Sequence, residues 1–327
     1  MSERKGLADG PQKTGRVDAV DCARGLALIG MAAYHLTWDL ADFRLVSPML
    51  PFSPPMRLLS HAVGSAFLAL VGVSLTLAHR DRLNLPAFWR RLAIVAGAAM
   101  LVTVASLIFA PTQGIWFGIL HCIAAASLVA LPLVGAPAWA SLLAGATAIA
   151  LPFFIHSTVF DPPALLWLGL GDALPSTLDW YPLLPWAGVV LTGLGLACLP
   201  GVLPRLTSPW RWRAKSQPAR GVCFAGRHSL AVYLLHQPIL VGLVAAAAAS
   251  GLLATEPPPR PDYRSFLAAC ERACVAHGRA AEDCGSACRC VANAVERSGE
   301  AQRLGQLDAE RNAELKLMAD ACMGRRQ

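Results

Sequence analysis

Seven apolar stretches, each near the length an α-helix needs to cross a bilayer, constrain this chain more than any other feature. They run roughly over 23–42, 60–78, 92–110, 115–134, 138–155, 183–200 and 228–253. Of the 327 residues, 55% are hydrophobic and only 15% charged, whereas about 25% are charged in a soluble globular chain. Small residues recur inside the stretches, such as Gly64, Ser65, Gly72 and Ser74 in the second, as expected where helices pack closely in lipid. The first stretch begins late, after a polar basic arm, and has no small-residue cleavage site behind a short apolar core. It therefore reads as a span and not as a signal peptide. The pattern predicts an all-α polytopic bundle of about seven spans. A basic arm occupies 1–22, a membrane domain 23–255 and a tail 256–327.

Charge predicts the orientation. Residues 1–255 hold 17 Lys and Arg against 10 Asp and Glu, while residues 256–327 hold 11 of each. The net charge of +7 thus belongs to the apolar part, where it reports topology and not nucleic-acid binding. Arg4, Lys5, Lys13, Arg16 and Arg24 lie at the N-terminal end, and the other basic residues of that side fall in loops 79–91 and 201–227. Only Arg44 and Arg57 lie on the opposite side. This asymmetry predicts a cytoplasmic N-terminus, with loops 43–59, 111–114 and 156–182 outside. Seven spans then place the C-terminus outside as well.

The tail differs in character. Pro257, Pro258 and Pro259 form a stiff linker, and polar sequence with helical spacing follows. Cysteines stand at 270, 274, 284, 288, 290 and 322. The first four make two CxxxC pairs, each on one helix face. Two short helices folding back on each other can be bridged by Cys270 with Cys288 and Cys274 with Cys284, one pairing among the 15 that six cysteines allow. Metal binding and free thiols are the alternatives, although His277 is the only nearby histidine. An extracytoplasmic tail favours disulfides, and no metal is expected. The tail can also dock another envelope protein. Cys22, Cys122, Cys198 and Cys223 sit in or beside the spans and read as small buried residues.

Ionisable groups at membrane depth mark candidate chemistry, because they are costly there. His35 lies about 18 Å along the first span by helical rise. Asp39 stands one turn further on the same face, where a carboxylate can orient an imidazole. A structural hydrogen-bonded pair is the plainer reading. His61 opens the second span at the outer edge, His121 lies in the fourth, and His228 and His236 lie in the seventh. The run His236-Gln237-Pro238 suggests a locally broken helix with free backbone groups. His79 and His156 fall in loops. The outer loop holds Asp161, Asp172, Asp179, Trp180 and Tyr181 without Lys or Arg, which suits a polyol or sugar, or a solvated loop with interfacial aromatics.

The stretch RVDAVDCARGLALIGM (16–31) resembles the opening signature of the heparan-alpha-glucosaminide N-acetyltransferase family, multispan acyltransferases with many bacterial members. Arg16, Asp21, Arg24 and Gly25 fit its Arg…Asp-x-x-Arg-Gly pattern. FLALVGVSL (67–75) resembles the second-span motif, and FGILHCIA (117–124) the segment where many members read Gly-x-Leu-Gln-Arg. WYPLLPWAGVVLTGLG (180–195) and GRHSLAVYLLHQP (226–238) resemble later blocks, so the likeness covers about 16–245. It implies transmembrane acetyl transfer from cytoplasmic acetyl-CoA to an amino sugar or glycan hydroxyl on the far side of a bacterial inner membrane. Animal members use an outer histidine between the first two spans and an asparagine near the end of the first. His35 falls at that asparagine's place, and His61 is the only histidine in the outer region between those spans.

For such chemistry His35, oriented by Asp39, is the first candidate base and His61 the second. His121, His236 and Asp179 are candidates for substrate binding. Arg16 and Arg24 are placed to hold coenzyme A phosphates, with Asp21 pairing Arg24, or else to anchor the inner face. Two other classes remain: a proton-coupled transporter for a small solute, and a membrane anchor that displays the tail.

Overall fold

The computed structural model describes residues 17–79, 82–208, 212–252, 263–276, 280–298 and 322. Among the described residues there are helices and no strands. The chain divides into two units, Met1–Leu252 and Leu253–Gln327.

The first unit contains α1 (Asp18–Asp42), α2 (Pro54–His79), α3 (Leu85–Phe109), α4 (Ile119–Ala130), α5 (Ala138–Phe154), α6 (Leu183–Ala197), α7 (Gln217–Arg227) and α8 (Ser229–Ala249). Starts and stops follow local chemistry. Asn84 caps α3, its side-chain oxygen accepting the Ala87 N–H at 3.1 Å, and Ser216 caps α7 in the same way. Pro132 and Pro137 bracket the break between α4 and α5, and Leu199-Pro200-Gly201 follows α6. Of the seven apolar stretches, α2, α3 and α8 are long and apolar enough to cross a membrane. The helices α4, α5 and α6 occupy three more stretches but are shorter. At 15 residues, α6 rises about 22 Å, against about 30 Å of hydrocarbon core. The helix α1 has 25 residues but carries Asp18, Asp21, Arg24, Asp39 and Asp42.

The core forms around α6, whose Ala187, Val190, Leu191 and Leu194 are buried against α2 and α4. Close helix crossing explains the glycines. A Cβ on Gly72 of α2 would collide with the Val190 carbonyl, and one on Gly193 of α6 with the Ala69 carbonyl. Gly145 of α5 and Gly188 of α6 meet backbone to backbone in the same manner.

Against α7, the first turns of α1 make an equally tight joint, with Gly25 facing the Val222 carbonyl and Gly226 facing the Asp21 carbonyl. Cys22 and Cys223 lie in this joint and are bonded to each other as a disulfide. They are therefore not the separate small buried residues that the sequence suggests. Cys122 and Cys198 are free thiols. Nor is α8 broken at His236-Gln237-Pro238, because the helix runs through Pro238. A proline inside a membrane helix is tolerated where neighbouring groups satisfy the backbone it frees.

In the second unit, α9 (Tyr263–Ala276) and α10 (Ala281–Ser298) pack together. Disulfides join Cys270 to Cys288 and Cys274 to Cys284, and a third joins Cys290 to Cys322. Cys284, Cys288, Val291 and Ala292 are buried there.

Candidate active site

Helical spacing puts His35 and Asp39 on one face of α1, and that face packs against α8. His35 meets His236 edge to face, with ring centroids 4.9 Å apart. Asp39 does not hold His35. Its Oδ1 instead accepts a hydrogen bond from Gln237 Nε2 at 2.6 Å, across 198 residues of sequence. Asp39 is only 3% exposed. His236 Nδ1 lies 2.5 Å from the Tyr233 carbonyl. A carbonyl only accepts, so Nδ1 carries the proton and Nε2 presents a lone pair.

Three atoms of this junction are buried without a hydrogen-bond partner: Asp39 Oδ2, Gln237 Oε1 and His236 Nε2. A buried unpaired polar atom costs stability unless something else supplies its partner. The Gln237 amide oxygen and the Nε2 lone pair are acceptors, and Asp39 Oδ2 accepts when ionised and donates when protonated. The junction therefore has the chemistry to receive O–H or N–H groups. Tyr34 and Tyr233 line it, with Tyr34 against His35 and Tyr233 against His236.

The other sequence candidates lie elsewhere. His61 is exposed on α2, bonded through Nδ1 to its own Arg57 carbonyl at 2.7 Å and stacked over Trp186. His121 is engaged at both ring nitrogens. Nδ1 accepts the Gly118 N–H at 3.3 Å, and Nε2 lies 3.2 Å from Thr103 Oγ1. It organises the start of α4. Asp179 assists there, accepting the Ile119 N–H at 2.8 Å, and burial pushes its carboxyl up to about 6. Tyr181, two residues on, lays its hydroxyl over Gly64 of α2, and burial raises its phenol as well. This part of the outer loop is a half-buried clamp on α2 and α4. In the same loop His156 pairs with Asp172 at 2.8 Å in the open.

At the opposite end of α1, Arg24 bonds to Asp21 at 3.4 Å and to Ser74 of α2. Arg227 reaches both Asp18, at 2.8 Å, and Asp21, at 3.1 Å. Arg16 lies outside the described residues.

The family model described as heparan-alpha-glucosaminide N-acetyltransferase, catalytic, matches residues 16–238. The chain belongs to this family. The match begins just before α1 and ends at Pro238, so it contains both sides of the α1–α8 junction and stops short of the tail. It makes the chain a member of an acetyltransferase family. Neither the curated proteins nor the solved structures compared with the chain give a match.

Gln237, Tyr233 and Arg227 are the residues of these sites that sequence reasoning missed. All three lie in the block GRHSLAVYLLHQP. A signal was available there, because a glutamine next to a histidine inside an apolar helix is itself a costly polar group that needs a partner.

Proposed function

We propose that the chain is an integral membrane acetyltransferase that moves the acetyl group of cytoplasmic acetyl-CoA to a hydroxyl or amine of an extracytoplasmic sugar or glycan. The reading places it in a bacterial inner membrane with seven spans, the N-terminus inside and the tail outside. Family membership supports the reaction class. The segregation of Lys and Arg supports the orientation.

One observation carries the choice of site: a buried α1–α8 junction with three polar atoms left unpaired, two of them acceptors on His236 and Gln237. An acceptor substrate brings the missing donors. In this reading its reacting O–H or N–H is held at His236 Nε2, beside His35, while Asp39 and Gln237 receive a neighbouring donor. The imidazole pair takes the proton as oxygen or nitrogen attacks the thioester carbonyl. The carbon–sulfur bond breaks, coenzyme A leaves as the thiol, and the proton from the imidazole completes it. The test is acetyl transfer from labelled acetyl-CoA by the purified chain in proteoliposomes, with amino-sugar and polyol acceptors. His35→Ala and His236→Ala are each expected to lower transfer by about 10²–10⁴. Full activity in both variants would remove this site from the reaction.

A further inference from the structure

Between Asp179 and Glu256 the sequence contains no Asp or Glu, yet the stretch leading into α8 is basic. Arg213, Lys215 and Arg220 are exposed there, and among the described residues no carboxylate is paired with them. Arg227 differs, because Asp18 and Asp21 hold it. The same stretch exposes two large aromatic side chains, Trp212 at 53% and Phe224 at 62%. Helical spacing sorts this chemistry by face. Cys223 and Gly226 of α7 turn inward against α1. Arg220, Phe224 and His228, each one turn from the next, lie on the exposed side, with the Phe224 and His228 rings 4.3 Å apart.

The depth of this face follows from what α7 is joined to. Val222 and Gly226 cross α1 at Gly25 and Asp21, in its polar first turns and just before Leu26 and Ile29 expose apolar side chains. At its other end α7 is separated by His228 alone from α8, a helix long and apolar enough to cross a membrane, with Leu235 and Ile239 exposed. The face of α7 therefore sits where the lipid-facing apolar surface begins. Aromatic side chains at that level rest against the boundary of the acyl chains, and Arg and Lys reach the phosphates. A zwitterionic headgroup brings as much positive charge as negative, so an uncompensated basic face favours headgroups of net negative charge.

We propose that the exposed face of α7 and the segment leading into it, through Trp212, Arg213, Lys215, Arg220 and Phe224, form a docking surface for anionic phospholipid. The headgroups supply the negative charge that this part of the chain lacks, and lipid held there steadies the α1–α7 joint. The proposal rests on α8 crossing the bilayer and not on the acetyltransferase reading.

The test uses the full chain in phosphatidylcholine bilayers with a trace of spin-labelled phosphatidylglycerol or spin-labelled phosphatidylcholine, the protein-bound fraction of each being read by electron spin resonance. The parent is expected to hold phosphatidylglycerol in preference, and to lose that preference at about 1 M salt, where the Debye length is about 3 Å. The triple variant Arg213→Gln/Lys215→Gln/Arg220→Gln is expected to lower the relative affinity for phosphatidylglycerol by about fivefold or more, the attraction of at least one basic residue for an anionic surface. Arg213→Lys/Arg220→Lys should keep the preference. Arg57→Gln, at an exposed arginine before the other end of α2, should match the parent. A second measurement needs no variant: hydrogen exchange of the parent over 212–228 should slow when phosphatidylglycerol replaces part of the phosphatidylcholine, with no matching change over 43–59. Equal binding of the two lipids by the parent, or parent-like selectivity in the triple variant, would overturn the proposal. So would capture of soluble polyglutamate through the same three residues without any lipid preference, which would mark the face as a site for an acidic protein. A chain that shows the lipid preference yet transfers no acetyl group would sink the enzyme reading and leave this one standing.

Discussion

The two units of the chain hold their helices together by different means. In the first, α6 is buried among α2, α4 and α5 through close-set glycines and apolar side chains, and only one disulfide, Cys22–Cys223, falls within it. In the second, two helices of 14 and 18 residues bury few apolar side chains among the described residues, and three disulfides tie them and Cys322 together. A pair of helices that short cannot remove enough apolar surface from water to offset its ordering, so cross-links that restrict the unfolded chain take over. The contrast shows that a single polypeptide solves the stability problem twice, according to what each part can bury.

Each unit can be broken without the other, and the sizes of the effects differ. Replacing Cys270 and Cys274 by serine removes two rungs from the tail, at about 2–5 kcal/mol for a native disulfide. Hydrogen exchange is expected to show protection lost over 263–298 and kept over 54–109. Persistence of tail protection would mean that packing, and not cross-linking, holds α9 to α10. The converse change is Gly193→Leu, which forces side-chain atoms into the backbone of α2 at Ala69 and costs about 1–3 kcal/mol. The bundle should melt earlier than the parent with or without reductant, while the tail keeps its protection under non-reducing conditions. A third effect is on pH. Burial raises Asp179 from 3.8 to about 6 in the folded chain, so folding favours its protonated form. The contribution is fully present below about 4, is lost as pH rises towards 6 and is constant above that. Bundle stability should therefore decline between pH 4 and 6 relative to Asp179→Asn, and the tail should show no matching change. A flat difference across that window would mean that the carboxyl is effectively solvated.

What was legible in the sequence follows the range of the forces involved. Apolar length and helical spacing are local, so the helices, the His35–Asp39 face and the Arg24–Asp21 pair could all be read directly. The i, i+4 spacing of Cys270/Cys274 and Cys284/Cys288 likewise contains the geometry of two parallel rungs. The Asp39–Gln237 bond, the Arg227 pairs and the Cys22–Cys223 link each join residues about 200 positions apart, and nothing within one span announces them. Asp179 and His121 carry chemistry suited to a ligand, and each also makes hydrogen bonds at the start of α4 that no local pattern announces. Pro238 misled, since its helix continues despite the missing N–H.

Clamping both ends of α1 to one continuous segment has a mechanical consequence. Asp18 and Asp21 fasten it to Arg227, and Cys22 to Cys223, while about 30 Å away Asp39 fastens it to Gln237. A rod pinned at both tips to the same beam cannot slide along it. The two attachments therefore hold the register in which His35 meets His236.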